Sequence, residues 1–203
     1  MNGTIRRATR QDIPGIVAAH ASAFPGFFLT LLGPRFLGLF YGAFVADPRA
    51  CLLVAEGEGS VVGFLAGVRD PELFFRRLRA RRGPQLSMSA VPALLRHPLR
   101  VAERLLSAIV YLGDRPPDLP GYWLLSSIGV RSDAARGGVG ARLLDRYLEE
   151  ASQGGAGGVY LLTDGRDNDS ALRFYGRRGF RTHASLRRRD GRELLVLTRS
   201  IST

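Results

Sequence analysis

The sequence predicts a single α/β domain on a mixed β-sheet, residues 1–203, with a helical insertion at about residues 69–120. Three observations predict it. Two β-rich runs, Ala50–Glu56 and Val61–Val68, are joined by Gly57-Glu58-Gly59-Ser60, a hairpin signal. The stretch SSIGVRSDAARGGVGARLL, from Ser126 to Leu144, reads as a strand, a Gly-rich turn and a helix start, and a further strand, Val159–Thr163, follows that helix. Between these two units, proline-punctuated helical segments replace the strands. With 203 residues, 45% of them apolar, the chain can bury one core.

The other elements follow in order. Thr4–Ala8 reads as a first strand, and Asp12 before Ile13-Pro14 reads as an N-cap followed by proline in the first helical turn. Ile13, Ile16, Val17 and His20 recur at helical spacing, and Pro34–Val45 places Phe36, Leu37, Phe40, Tyr41 and Phe44 on a second helix as core aromatics. In the insertion, Asp70-Pro71 caps a helix holding Leu73, Phe74 and Leu78, which Gly83-Pro84 is expected to end. Pro98 then opens another, with Val101, Leu105, Ala108, Ile109 and Leu112 on one face and a basic row of Arg96, Arg100 and Arg104. Tyr122–Val130 is a strand. The helix beginning near Gly138 carries Val139, Leu143, Leu144, Tyr147, Leu148 and Ala151 on its apolar face. Asp169 is expected to cap a helix over Ser170–Arg178, and Gly179 to stop it. Phe180–Ser185 and Glu193–Thr198, with Asp190-Gly191 between them, form a last hairpin.

Composition narrows the function classes. The apolar stretch Ala18–Ala46 is broken by Pro25, Gly26, Gly33, Pro34 and Arg35, whereas a bilayer span needs about 20 uninterrupted apolar residues. Cys51, the single cysteine, sits in the apolar run CLLVAE and reads as a buried strand thiol. Disulfides and a cysteine-rich zinc site are excluded, no metal site is read, and a cytoplasmic location is expected. All 29 basic residues are arginine and the net charge is +11. Residues 69–120 carry ten Arg against five acids, and residues 166–203 carry ten against four, so these two segments supply the positive field. Such a field suits anionic ligands. Nucleic acid is disfavoured as a partner, because RRLRARR and RRRDGR lack interleaved aromatic residues. The oligomeric state, a homodimer included, is left open.

The Gly-rich turn is an anion-binding arrangement, because free backbone N–H groups and the helix dipole converge where the helix starts. Gly137, Gly138 and Gly140 carry no side chain to keep a pyrophosphate away. No Gly-Lys-Ser/Thr follows, so it is not a nucleoside-triphosphate loop. A second motif lies downstream: Asn168, Ala171, Phe174-Tyr175 and Gly179-Phe180. Together the two motifs resemble the GNAT acetyltransferase superfamily. The resemblance covers the chain broadly and is most specific at Ile128–Val130, Arg136–Ala141 and Asn168–Phe180.

The resemblance implies a GNAT-like fold and an N-acetyltransferase that moves an acetyl group from acetyl-CoA to a primary amine. The backbone of Ile128 and Val130 would pair with the pantetheine arm. Arg136, Gly137, Gly138, Gly140 and Ala141 would take the pyrophosphate, Asn168 would hold the pantetheine, and Tyr175 would stand near the sulfur as general acid. Two positions depart from the family pattern. Ala135 stands where Gln or Arg is usual, with Arg136 one place later, and Ser127 stands near a position that often holds Glu. Asp164, His20 and Glu56, or a water chain, are the candidates for the base, whereas His97 and His183 read as isolated residues. The basic excess suggests an anionic acceptor, such as an amino-sugar nucleotide, with the insertion beside the acceptor mouth. The competing reading is a non-catalytic GNAT-fold module that binds coenzyme A or another anion.

Overall fold

Strands form on the β-branched and apolar runs. In a computed structural model describing residues 4–96, 118–135, 137–166, 168–187 and 193–201, β1 spans Ile5–Arg7, β2 Ala50–Gly57, β3 Ser60–Val68 and β4 Tyr122–Val130. After them come β5 over Gly158–Asp164, β6 over Arg181–Arg187 and β7 over Glu193–Ser200. They make one sheet in the order β1-β2-β3-β4-β5-β7-β6. All pairs are antiparallel except β4–β5, so the sheet is mixed as predicted. The turn Asp190-Gly191 lies outside the described residues.

Six helices occur among the described residues: α1 Ile13–Ala23, α2 Phe28–Leu31, α3 Pro34–Ala46, α4 Pro71–Arg96, α5 Val139–Gln153 and α6 Asp169–Gly176. Alternate residues of β2 explain how the layers form. Leu52 and Val54 enter one core with Ile16, Tyr41, Phe44 and Phe74 from α1, α3 and α4. Cys51, Leu53 and Ala55 enter the other, with Leu143, Leu144 and Tyr147 of α5 and Tyr175 of α6. Cys51 is the buried strand thiol that its apolar run predicts. No helix among the described residues is long and apolar enough to cross a membrane.

Three local expectations are corrected. The helix expected to stop at Gly83-Pro84 runs on to Arg96, with Pro84 and Pro92 inside it. Each proline removes the donor for the carbonyl four residues earlier, but Ala80 and Met88 are exposed, where water can take that role. Asp12 does occupy the N-cap of α1, yet it makes no side-chain cap. Its carboxylate instead accepts hydrogen bonds from Arg6 (2.8 Å) and from the Thr9 N–H (2.7 Å), clamping β1 to the turn before α1. Asn168, not Asp169, occupies the N-cap of α6. The helix expected from Pro98 and the remainder of the Arg96 row lie outside the described residues.

The β3–β4 pairing contains one irregularity that sets the shape of the site. Ala66 opposes Ser127 and Gly67 opposes Leu125, so Ser126 is left without a partner on β3. At that point the buried Tyr147 of α5 reaches the sheet and donates its hydroxyl hydrogen to the Leu124 carbonyl at 2.8 Å. Gly67 makes the approach possible, because a Cβ there would overlap the Tyr147 phenol. Pairing between β4 and β5 covers only Tyr122–Leu124 against Gly158–Tyr160, and beyond it the two strands separate.

Gly67→Ala is expected to destabilise the fold by about 1–3 kcal/mol, the usual cost of overpacking a filled core. Chemical denaturation measures it, and Gly67→Ala combined with Tyr147→Phe should recover little, because the ring rather than the hydroxyl alone occupies the space.

Candidate active site

The opening between β4 and β5 is bounded by the start of α5. Gly138 is its N-cap, in the left-handed region at φ 68°, which glycine adopts without strain. The first N–H to find a helical acceptor is that of Arg142, on the Gly138 carbonyl at 3.1 Å. Among the described residues the N–H groups of Val139, Gly140 and Ala141 find no acceptor, and no side-chain cap is made at Gly138. Gly137 turns the other way and donates to the Ala134 carbonyl at 3.2 Å. A Cβ on Gly140 would lie 3.5 Å from Val130 and 3.8 Å from Phe174, so the helix start faces both the end of β4 and α6. Arg136 lies outside the described residues.

Ile128 and Val130 sit on the stretch of β4 that has lost β5 as a neighbour. Their side chains pack toward α5 and α6, and their strand edge keeps peptide groups without a ladder partner. Extended chains bind by adding to an edge of this kind. Free donors at a helix start beside a free strand edge fit a molecule with a pyrophosphate at one end and an amide-bearing arm at the other, as coenzyme A has.

Asn168 and Tyr175 come from the segment after β5. The Asn168 amide donates to Thr163 Oγ1 and, at 3.1 Å, to the Asp164 carbonyl, so its nitrogen is used to hold the end of β5. Among the described residues its oxygen accepts no hydrogen bond. Tyr175 is buried, with its ring edge-on to Phe174 and Phe180 at centroid separations of 5.1 and 5.6 Å. Burial pushes the phenol above its usual value, so it stays protonated throughout the neutral range. Its hydroxyl makes no hydrogen bond among the described residues.

The three candidate bases separate clearly. Glu56 accepts from Arg6 Nε at 3.0 Å, within the β1–β2 clamp that also holds Asp12, and so is committed there. Asp164 ends β5, where its carboxylate accepts from the Arg166 N–H at 3.4 Å. His20 is buried under β4, with Nδ1 2.7 Å from the Tyr41 hydroxyl, which lies 3.1 Å from Ser127 Oγ. Burial alone pushes the His20 imidazole down to about 4. Reading along the chain missed this connection, because its members stand 21 and 86 residues apart and Tyr41 is indistinguishable from its core neighbours Phe40 and Phe44. His183 is not isolated: its Nε2 lies 2.5 Å from Asp118, whose carboxyl that contact holds below the usual range. The pair ties the end of the insertion to β6. His97 lies outside the described residues.

The described part of the insertion packs on the α1/α3 side of the sheet. Phe74, Phe75 and Leu78 of α4 enter that core, and Arg82 donates to the Leu39 carbonyl at 2.9 Å.

The model of the acetyltransferase (GNAT) family matches residues 14–180. Among solved structures, the chain is similar to the ribosomal-protein-alanine N-acetyltransferase from Brucella melitensis, with TM-score 0.64, 20% identity and coverage of 98% of this chain and 99% of that one. It is also similar to the ribosomal-protein-S18-alanine N-acetyltransferase from Escherichia coli, with TM-score 0.62, 16% identity and coverage of 99% and 95%. A third is an N-acetyltransferase from Staphylococcus aureus, with TM-score 0.63, 17% identity and coverage of 98% and 99%. At these identities the likeness is one of fold. No curated protein matches the sequence.

Gly140→Ala should leave the unfolding free energy within about 1 kcal/mol of the parent, since alanine favours the helix and meets only ordinary contacts. It should nevertheless weaken coenzyme A binding by about tenfold, because the added Cβ keeps a pyrophosphate from closing on the Gly140 N–H, which alanine retains. Calorimetric titration of the folded variant measures this, and an unchanged affinity would show that the helix start does not hold the ligand.

Proposed function

The chain belongs to the GNAT acetyltransferase family, and from that premise we propose that it transfers an acetyl group from acetyl-CoA to a primary amine. The observation that carries this reading is the meeting of free N–H groups at the start of α5 with the unpaired edge of β4, while Tyr175 flanks the same side of the sheet. Bound acetyl-CoA would supply the activated acyl carbon. Gly138, Gly140 and Ala141 would donate to the pyrophosphate, Gly137 would keep the approach open, and Arg136 would add a cation in the same turn. The peptide groups of Ile128 and Val130 would align the pantetheine arm, and the Asn168 side-chain oxygen would accept from it.

Tyr175 would protonate the departing sulfur. Its buried phenol is held in the donor form, and no hydrogen bond among the described residues competes for it. A basic surface supports an acceptor that carries phosphate or carboxylate, such as an amino-sugar nucleotide, because a polyamine would be repelled. The single buried cysteine supports a cytoplasmic setting.

Thiol release measured over a panel of anionic, neutral and cationic amines tests the reading, with anionic amines expected to be the best acceptors. Preference for polyamines would overturn the anionic assignment, and coenzyme A binding with no transfer to any amine would leave a binding module. With an active acceptor, Tyr175→Phe should lower the single-turnover rate about 10²-fold, at the low end for general acid catalysis because a thiolate is already a tolerable leaving group. Acetyl-CoA affinity should be unchanged. A variant as fast as the parent would reduce Tyr175 to a packing role.

A further inference from the structure

The buried chain His20–Tyr41–Ser127 has no structural task that apolar residues could not perform. His20 is 2% exposed and Tyr41 is fully buried, among the rings of Phe24 and Phe64. His20 Nε2 is also buried and finds no hydrogen-bond partner among the described residues. An apolar core gains nothing from an imidazole with an orphaned nitrogen, which costs free energy wherever it is buried. The chain leads somewhere: from α1 through α3 to Ser127, a partly exposed residue just past the irregularity that turns β4 away from β5.

We propose that this chain accepts the proton released by the attacking amine, with Ser127 touching the nitrogen and Tyr41 and His20 acting through it as positioning residues. The proposal rests on the acetyltransferase reading above and supplies the base which that reading leaves open.

The relay needs one direction of the two that these contacts allow. His20 Nδ1 stands 2.7 Å from Tyr41 Oη and Tyr41 Oη 3.1 Å from Ser127 Oγ, and at each contact either atom can donate. In the relay Tyr41 donates to Nδ1, its oxygen accepts from Ser127, and the Ser127 oxygen keeps lone pairs for the amine. Tyr175 belongs to the core on the α5/α6 side of the sheet, and Ser127 meets Tyr41 of the α1/α3 side, so the acid and the proton acceptor come from opposite faces.

The proton count closes. The amine lone pair forms the bond to the acyl carbon as the bond to sulfur breaks, and the sulfur takes the Tyr175 proton. The nitrogen becomes cationic and acidic as it bonds, and its proton passes to Ser127, that of Ser127 to Tyr41, and that of Tyr41 to Nδ1. The resulting imidazolium is disfavoured by its surroundings and returns its proton along the chain to solvent after the product leaves, while solvent reprotonates Tyr175. Among the described residues Tyr41 of α3 is the titratable group facing His20; Phe24 just after α1, Phe64 of β3 and Ser127 of β4 contribute no charge, so burial alone sets the imidazole's low proton affinity. It thus stays neutral near pH 7 and holds the relayed proton only in passing.

The test uses the full chain, an amine that the wild type acetylates, and single-turnover kinetics. Tyr41→Phe keeps the ring and cuts the chain; it should slow transfer about tenfold to 100-fold near neutral pH, with acetyl-CoA affinity unchanged. The deficit should shrink as pH rises, because hydroxide then takes the proton. Ser127→Ala should show the same loss and Ser127→Thr, which restores a hydroxyl, should recover most of it. Equal rates for wild type, Tyr41→Phe and Ser127→Ala would overturn the relay, as would a loss that is independent of pH in a variant of normal stability. If the wild type acetylated no amine at all, it is the acetyltransferase reading that would fall.

Discussion

One contact fixes the rest of the molecule: the Tyr147 hydroxyl on the Leu124 carbonyl, admitted by the missing side chain of Gly67. A buried phenol usually finds a partner, and this one finds it on the last residue of β4 that still pairs with β5. Leu124 ends the parallel pairing and the unpaired Ser126 follows two residues later, so β4 leaves its neighbour where the α5 phenol docks. The same helix begins at Val139, eight residues earlier, which at 1.5 Å per residue is about 12 Å along its axis. Anchoring Tyr147 under the sheet therefore also positions the free N–H groups at the helix start relative to the strand edge that the bulge exposes.

Burial then sorts the ionisable groups around the opening. It raises the Tyr175 phenol and lowers the His20 imidazole, so both stay uncharged near neutrality, as the proposed donor and acceptor require. The proposed pair of opposite tasks then needs no carboxylate. Serine at position 127 is no base by itself, but joined to Tyr41 and His20 it need not be. The carboxylates singled out from the sequence serve other ends, Glu56 beside Arg6 and Asp164 at the close of β5.

What could be read along the chain was what depends on near neighbours. The hairpin at Glu58-Gly59, the apolar face of α5 and the glycine turn at Gly138 all express backbone preference or helical period within a few residues, and they fold as read. The strand Tyr122–Val130 and the short helix before Gly179 fold as read too, apart from the residue that caps the helix. Pro84 misled because its cost depends on whether water reaches the freed carbonyl, which only the packed helix determines. Asp12 lost its expected capping bond to a better partner, Arg6, which arrives from the neighbouring strand segment. The His20–Tyr41–Ser127 chain and the His183–Asp118 pair were hidden for a plainer reason: 21, 86 and 65 residues separate their members, and no local pattern marks a contact made by folding.

In the proposed function coenzyme A lies in the opening between β4 and β5 with its pyrophosphate on the start of α5. Titrating coenzyme A into uniformly labelled protein and following backbone amide resonances tests this most directly. The largest shifts are expected at Val139, Gly140 and Ala141, with a second group at Ile128 and Val130 on the free strand edge. If those amides stayed in place while residues elsewhere responded, the helix start would not be the anion site and the central claim would be contradicted.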